Sequence, residues 1–408
     1  MPDVSVLDVL LYGEKIGTLT RVPGDRNIFA FSQAYVDNAA RPTLSLSFKD
    51  ALGALITDIP PTQTRVPPFF ANMLPEGPMR DYLAKRAGVN SKREFFLLWV
   101  LGKDLPGAMT IRPADGEAWP PDTGSDDEKE ESGDAHRHAL RFSLAGVQLK
   151  FSAVKSAAGG LTIPAEGVGG SWIVKLPSMT HEGVPENEYS MMTLAAQIGM
   201  DVPELQLVEL GSIGKLPEGI GNLKGPALAV KRFDRTPEGP VHIEDFAQIF
   251  GVYPDNKYEK ASYRNIAAVV AAETGNDGVA EFIRRLVFNT LIGNADMHLK
   301  NWSFMYPDRR TAALAPAYDF VATTHYIPDE KAALNYSGTK RMSEFSRDEL
   351  AHLAAKARLP EKLVLDTAAE TVQRFHEIWK AEKENLPLSK ELIAAIEKHV
   401  KTVPIARS

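Results

Sequence analysis

The chain of 408 residues contains no cysteine. Disulfide bonds, thiolate metal ligands and a cysteine nucleophile are therefore excluded, and the absence is consistent with a cytoplasmic protein. No run of about 18 apolar residues is present, so we expect no membrane span. The first segment, MPDVSVLDVLLYGEKIG, carries acidic residues early and has no basic region before a long apolar stretch. This composition argues against a secretory signal.

Basic residues do not predominate, since 46 Lys and Arg against 53 Asp and Glu give a formal net charge of −7. This charge argues against a globally basic nucleic-acid-binding protein, although it leaves room for a local basic patch. Hydrophobic residues at 44% and charged residues at 24% are ordinary for a globular protein. A chain of this length exceeds one compact core, so we expect two domains or a two-lobed domain.

Hydrophobic patterning divides the chain into four segments. The first, 1–113, is β-rich, and the fourth, 241–408, is mostly helical. Between them, 114–139 is rich in Pro, Gly, Ser, Asp and Glu and predicts an acidic linker or mobile loop. The remaining segment, 140–240, predicts a β-rich lobe with one marked helix over 187–199. The order predicts an α+β protein with two lobes and an additional N-terminal subdomain.

Within the N-terminal subdomain, three elements are predicted individually. Residues 4–22 alternate around a glycine turn and predict paired strands. Thr43–Phe48 predicts a further strand, and Ser91–Leu101 has the apolar spacing of a helix.

The most informative segment is LIGNADMHLKNWSF, residues 291–304. Asp296 and Asn301 are five residues apart, the offset between the catalytic aspartate and the metal-binding asparagine of a protein-kinase catalytic loop. A carboxylate can orient an attacking hydroxyl and accept its proton, and a nearby amide oxygen can hold Mg²⁺ without competing as a base. Alone, this pattern also arises by chance or in a solvated loop.

A second acidic group follows in APAYDF, residues 315–320. Asp319 is followed by Phe320, and Val321 replaces the glycine of the Asp-Phe-Gly turn found in many kinases. The intervening residues predict two strands and a turn, which would place Asp296 and Asp319 at strand ends facing one cleft. The alternative for Asp319 is a simple turn-forming aspartate.

A lysine ends the apolar strand in SWIVKLP. Lys175 can supply a point charge to the α- and β-phosphates of ATP, as the lysine of a V-A-I-K strand does; the alternative is an edge-strand lysine reaching solvent. Glu188 begins a helix and can pair with Lys175, although Glu186 competes for that assignment. Upstream, SLAGVQLKFS stands where a phosphate-covering loop belongs and has only Gly146 in place of a glycine-rich pattern.

In this order, the segments resemble the HipA family of serine/threonine-protein kinase toxins. RFSLAGVQLK resembles the family's R-x-S-x-A-G-x-Q-x-K segment, and SWIVKLP, PENEY, LAVKRFDR, EDFAQIFG, KYE, NADMHLKN and YDF follow in the family order. NMLPEGPMR and LGKDLPGAM extend the resemblance to nearly the whole chain except the acidic spacer. The resemblance implies a protein-kinase-like fold with an N-terminal subdomain.

The resemblance also implies residue roles. Asp296 would be the catalytic base, Asn301 and Asp319 would hold Mg²⁺, and Ser143 would be an autophosphorylation site whose phosphate switches the kinase off. The residues implied to contact ATP are Ala145, Gly146, Val147, Gln148, Lys150, Lys175, the hinge residues Lys231, Arg232 and Phe233, and His298, Lys300, Asn301, Tyr318 and Asp319. Two positions depart from the family pattern, because Leu149 replaces a frequent glutamate and Lys231 stands where an acidic residue is common.

Partners are implied only by the resemblance. The family's substrates include aminoacyl-tRNA synthetases, with glutamyl-tRNA synthetase the best established, and phosphorylation of such an enzyme stalls translation. The family partner is HipB, a helix-turn-helix antitoxin that binds operator DNA. ATP and Mg²⁺ are the implied cofactors.

Three other interpretations remain open. A hydrolase could use Asp296 and His298 as metal ligands, with His325 or Asp319 added. A catalytically inactive scaffold could act only in a repressor complex with antitoxin and DNA, although the complete set of kinase residues argues against it. A small-molecule kinase on the same fold would share the nucleotide half of the site, so only its substrate would distinguish it.

Overall fold

The computed structural model describes residues 5–114, 150–155, 161–163, 170–178, 180–216, 223–327 and 331–407. The predicted acidic linker and the predictions for Ser143, Ala145, Gly146, Val147 and Gln148 concern residues outside these ranges.

The N-terminal subdomain is built on a five-stranded antiparallel sheet in the order β4-β3-β2-β1-β5. Its elements are β1 Ser5–Leu11, β2 Glu14–Val22, β3 Arg26–Phe31, α1 Gln33–Asp37, β4 Thr62–Gln63, α2 Pro68–Ala71, α3 Gly77–Arg86, α4 Glu94–Leu101 and β5 Met109–Pro113. Tyr12 and Gly13 form the turn between β1 and β2 with positive φ angles of 54° and 82°. The paired strands and the helix predicted for this subdomain are therefore confirmed.

The strand predicted over Thr43–Phe48 is wrong. Leu46–Phe48 is a 3-10 helix, because the Ser45 hydroxyl accepts a backbone N–H two residues on (3.0 Å) and starts a turn. Leu44 and Phe48 are both buried. The apolar pattern that predicted a strand therefore reflects the packing of these side chains and does not indicate strand structure.

The middle lobe contains a second five-stranded sheet in the order β7-β6-β8-β10-β9. Its elements are β6 Lys150–Lys155, β7 Leu161–Thr162, β8 Trp172–Lys175, α5 Val184–Ile198, β9 Leu205–Val208 and β10 Ala227–Lys231. Helix α5 ends at Gly199, whose φ of 102° suits glycine, as the sequence predicts. Apolar residues of this sheet and of the N-terminal subdomain share one core, for example Phe151 and Trp99.

The C-terminal lobe is mostly helical, as predicted, and its core also includes buried apolar residues of α5, such as Met191. Its elements are β11 Arg235–Thr236, β12 Gly239–Pro240, β13 His242–Asp245, α6 Phe246–Ile249, α7 Tyr263–Leu291, β14 Ser303–Tyr306, β15 Ala313–Leu314, α8 Arg347–Ala357, α9 Glu361–Glu382 and α10 Lys390–Val400. Helix α7 is interrupted at Gly275 and leads into the loop that carries Asp296. Strands β13, β14 and β15 form a small sheet that places this loop and Asp319 on the same side of the lobe. In the part of the chain that the structure describes, no helix is long and apolar enough to cross a membrane.

Candidate active site

A cleft of about 730 Å³ lies between the middle and C-terminal lobes. Its volume is within the range of small-molecule and cofactor sites. The predicted site residues that the structure describes all line it: Lys150, Lys175, Lys231, Arg232, Phe233, Asp296, His298, Lys300, Asn301, Tyr318 and Asp319. Residues separated by up to 169 positions in the sequence are thus brought to one cavity.

Lys175 is paired with two carboxylates inside the cleft. It ends β8, which lies between β6 and β10, and its ammonium donates to Glu188 on α5 and to Asp319 from the opposite lobe. The Lys175 side chain is only 7% exposed, so the edge-strand alternative does not apply. Of the two glutamates considered from the sequence, Glu188 makes this pair.

In the triad of Lys175, Glu188 and Asp319, burial and neighbouring charges shift the pKa values in opposite directions. Burial alone would raise the pKa of Asp319, but Lys175 and Lys150 outweigh it and hold that pKa well below its usual range. Burial would lower the pKa of Lys175, but Asp319 and Glu188 outweigh it and raise that pKa. Burial raises the pKa of Glu188 and the charge of Asp319 adds to the rise, so the opposing effect of Lys175 does not cancel it. Burial lowers the pKa of Lys150, which stands opposite Lys175 in the β6–β8 register.

Asp319 has a left-handed backbone, with φ of 58°. Such a conformation is uncommon for residues other than glycine and is found most often at turns and functional sites. It places the carboxylate toward Lys175, while Phe320 is buried in the core of the C-terminal lobe.

Asp296, in the loop after α7, is held through both its backbone and its carboxylate. The Asp296 N–H donates to Asn294 Oδ1 (3.0 Å), and its carbonyl accepts from Asn301 Nδ2 (2.9 Å). Tyr258 donates its hydroxyl to one carboxylate oxygen of Asp296. Burial raises the pKa of Asp296 and the Tyr258 hydrogen bond lowers it; the Asp296 side chain is 54% exposed, so cleft solvent limits the rise.

His298 is a buried, neutral group. Burial, with Lys257 close by, lowers the pKa of His298 to about 3. Its Nε2 lies 3.9 Å from Asp296 Oδ1, and its Nδ1 has no hydrogen-bond partner among the described residues. The imidazole is therefore uncharged at neutral pH and adds no charge to the site.

The Lys300 ammonium is bonded to two groups of the N-terminal subdomain. Its ammonium donates to the carbonyl of Asn72 (3.0 Å) and to Glu76 (2.6 Å). Glu76 also accepts from Lys257 (2.7 Å), so one carboxylate bridges two lysines of the C-terminal lobe. Lys300 lines the cleft as predicted, but its contacts in this structure are with protein groups.

The segment after β10 contains a buried ion network. The Arg232 guanidinium bonds Asp104 (3.1 Å) and Asp234 (2.9 Å), and its side chain is 1% exposed. Arg232 therefore offers the cleft only its backbone, because its side chain holds the N-terminal subdomain. The Lys231 N–H donates to the carbonyl of Glu204 (2.9 Å).

Two neighbouring aromatic rings line the cleft near β10. The rings of Phe233 and Tyr318 lie 5.9 Å apart between centroids. The Tyr318 hydroxyl donates to the carbonyl of Lys300 (2.9 Å) and pairs with Ser303, so Tyr318 also braces the loop of Asp296.

Three residues at the site were missed from the sequence, namely Glu76, Lys257 and Tyr258. They lie in NMLPEGPMR and KYE, which matched the family pattern without an assigned role. Their contacts with each other and with the Asp296 loop span 38 residues or more, so no local spacing reveals them.

The donor set favours Mg²⁺ over a zinc-type site. Asp319 could supply a carboxylate oxygen and Asn301 an amide oxygen to a metal ion, and Mg²⁺ prefers a few such hard ligands. Among the residues that the structure describes, no three His, Asp or Glu side chains lie close enough to share one metal ion. The hydrolase interpretation built on Asp296 and His298 would need such a group.

Two lobes, a strand lysine paired with a helix glutamate, and a loop carrying Asp296 opposite them define a kinase-like fold. The model of the HipA-like C-terminal domain matches residues 142–379, and that of the HipA N-terminal domain matches 7–112. The chain belongs to the HipA family.

Similar proteins cover nearly the full chain. A Sinorhizobium fredii protein, Y4dM, provisionally named a kinase, is 62% identical over 410 residues, covering 100% of this chain and 99% of its own. The serine/threonine-protein kinase toxin HipA of Shewanella oneidensis is 28% identical over 382 residues, covering 85% of this chain and 84% of its own. A solved structure of the Shewanella oneidensis HipA, HipB and operator DNA complex has a TM-score of 0.73 at 22% identity, and the match covers 98% of this chain and 96% of the chain in that structure. This likeness confirms the predicted fold.

Proposed function

We propose that this protein is an ATP- and Mg²⁺-dependent serine/threonine protein kinase. The observation that carries the proposal is the meeting of Lys175, Glu188 and Asp319 with Asp296 and Asn301 in one cleft. Phosphoryl transfer needs little covalent chemistry from the protein beyond positioning and charge stabilisation, and these residues supply both. The kinase names of the similar proteins point the same way.

Each residue has a distinct task in this proposal. Asp296 orients the acceptor hydroxyl and accepts its proton through the carboxylate oxygen that Tyr258 leaves free. Lys175 contacts the α- and β-phosphates while Glu188 holds it in place. Asn301, whose amide nitrogen is bound to the loop backbone, and Asp319 present oxygens for Mg²⁺, which when bound neutralises phosphate charge.

The biological role that we propose is based on the resemblance to the family. We infer that the protein is the toxin of a toxin–antitoxin pair with a HipB-like antitoxin, through which it reaches operator DNA, and that its substrate is an aminoacyl-tRNA synthetase. The solved complex of HipA, HipB and operator DNA supports the first part. Co-purification with a small DNA-binding protein encoded beside it would test the pairing. Autophosphorylation at Ser143 would be the off-switch, because a phosphate there adds nearly two negative charges to the loop.

The proposal is tested by incubating the purified protein with Mg²⁺ and γ-labelled ATP, alone and with cell extract, beside Asp296→Asn. We expect the wild type to label Ser143 and a protein in the extract. Asp296→Asn should fold and bind ATP but transfer phosphate ~10²–10⁴-fold more slowly, the usual cost of losing a general base.

Near-normal transfer by Asp296→Asn would show that Asp296 is not the base. A folded wild type that binds ATP but labels nothing would favour the inactive scaffold instead.

A further inference from the structure

Glu76 of the N-terminal subdomain reaches into the cleft between two lysines of the C-terminal lobe. Its two carboxylate oxygens accept from Lys257 (2.7 Å) and Lys300 (2.6 Å). The three side chains are 13%, 9% and 7% exposed, so solvent screens this triad little.

Both lysines adjoin residues of the proposed reaction. Lys300 directly precedes Asn301, and Lys257 directly precedes Tyr258, whose hydroxyl bonds Asp296. The Leu299 N–H donates to the carbonyl of Lys257 (3.3 Å), which ties the two segments to each other. A shift of either lysine would therefore move groups at the reacting centre.

The N-terminal side of the contact is anchored. Glu76 immediately precedes α3, and its carbonyl accepts the Arg80 N–H (3.3 Å) of that helix. The Asn72 carbonyl shares Lys300 with Glu76, and the Asn72 side chain donates to the carbonyl of Val252 (2.8 Å) in the C-terminal lobe. The backbone of Glu76 is thus held by α3 of its own subdomain, and its carboxylate extends from there to the two lysines.

Charge makes Glu76 necessary in this position. Burial would raise its pKa, but Lys300 and Lys257 outweigh burial and lower the pKa of Glu76 to about 2. It is therefore ionised throughout the neutral range. Without it, two ammonium groups would face each other in a nearly dry space, which is costly.

We propose that Glu76 is a positioning residue through which the N-terminal subdomain fixes the loop carrying Asp296 and Asn301. The subdomain is then part of the catalytic unit and acts through Lys257 and Lys300. This inference rests on the proposed kinase function.

The chain offers a matched control in Glu94. It is a buried carboxylate of the same subdomain, with its side chain 1% exposed, and it also bridges two cations, Arg65 (3.2 Å) and Arg80 (3.2 Å). Glu94 does not line the cleft. Glu94→Gln therefore removes a buried, doubly paired charge without removing any contact of Lys257 or Lys300, and its partner Arg80 on α3 keeps the backbone bond to Glu76.

The experiment compares wild type, Glu76→Gln and Glu94→Gln in the full chain by two measurements. The first is kcat and KM for ATP; the second is hydrogen exchange of the peptide spanning 294–302. We expect Glu76→Gln to lose about tenfold or more in kcat, with a smaller change in KM, because small displacements of reacting groups cost large factors. Exchange across 294–302 should accelerate in Glu76→Gln and not in Glu94→Gln.

The inference is overturned if Glu76→Gln matches Glu94→Gln in both kcat and exchange. A wild type without phosphotransfer would refute the kinase proposal, and the exchange comparison would then decide the positioning role by itself. If Glu76→Gln does not fold, Glu76→Asp keeps the charge but is too short to bridge both lysines, and the same differences from Glu94→Gln are expected.

Discussion

Tyr258 touches the proposed base directly, and its hydroxyl can be removed without altering the ring. The hydrogen bond from Tyr258 stabilises the ionised form of Asp296 and lowers its pKa against the rise caused by burial. Tyr258→Phe should therefore raise the pKa of Asp296. Because the base must be ionised, the acid limb of the pH profile of kcat should move to higher pH, and the loss of rate should be larger at low pH.

Tyr253 provides the control for this measurement. Its ring stacks on the Arg65 guanidinium at 4.1 Å, and it does not line the cleft. Tyr253→Phe should leave the acid limb in place. Identical profiles for Tyr258→Phe and wild type would mean that Asp296 does not set the acid limb.

The predicted residues around the Asp296 loop share one property. Asp296, Asn301 and Asp319 lie on one short stretch of chain, so the spacing required by their chemistry is visible in the sequence. Glu76 and Tyr258 reach the same loop through the tertiary fold, and a single sequence carries no trace of such pairs. Arg232 shows the converse, because its position indicated the cleft while its side chain is bound to Asp104.

At the scale of elements, helix α5 decides which of two glutamates faces the site. Glu188 is 2% exposed and contacts Lys175, whereas Glu186, two residues earlier, lies on a different face. Glu188→Gln should raise KM for ATP and lower kcat, because Lys175 loses the charged partner that holds it against the pull of Asp319. Glu186→Gln should stay close to wild type in steady-state kinetics with ATP varied.

Equal effects of the two substitutions would contradict the pairing seen in this structure. The sequence alone left this choice open, because both glutamates lie near the start of one helix and the rotation of a helix is set by what it packs against.

Periodicity predicted elements well where they lie within a sheet or against a core. The hairpin of β1 and β2 and the glycine stop of α5 follow local rules of turn and cap. The error at Thr43–Phe48 has a different origin. There the Ser45 side chain starts a turn and also donates to Glu244 in the C-terminal lobe, so alternate burial arises from tertiary contact.

At the scale of the whole molecule, Glu244 joins the N-terminal subdomain to the C-terminal lobe. It is fully buried and accepts hydrogen bonds from the Ser45 hydroxyl, the Leu46 N–H (3.0 Å) and the Tyr306 hydroxyl. Burial raises its pKa to about 7, against the lowering effect of these hydrogen bonds, and the charge of Asp245 adds to the rise. No cation pairs with this carboxylate among the contacts that the structure describes.

The sign of the resulting pH dependence follows from proton uptake. The unfolded chain loses the Glu244 proton near its ordinary pKa of 4.5, while the folded protein keeps it to about 7. Between these values the folded state binds more protons, so the free energy of unfolding falls as pH rises. Above pH 7 the protein has lost the whole stabilisation that the protonated Glu244 provides, on the order of 3 kcal/mol from 1.36 kcal/mol per pKa unit.

Glu244→Gln should remove this dependence, because the amide mimics the protonated carboxyl, accepting from Leu46 and Tyr306 and donating to Ser45. The variant should unfold at nearly the wild-type urea concentration at pH 5 and at a higher one at pH 8. Asp245 and His242, whose pKa values burial shifts to about 6 and about 4, titrate in both proteins, so their own contributions are present in both profiles and only the interaction of Asp245 with Glu244 differs. Parallel stability curves from pH 5 to pH 8 would show instead that Glu244 is ionised in the folded protein. The junction between subdomain and lobe would then contain a buried carboxylate whose charge is stabilised only by the hydrogen bonds from Ser45, Leu46 and Tyr306.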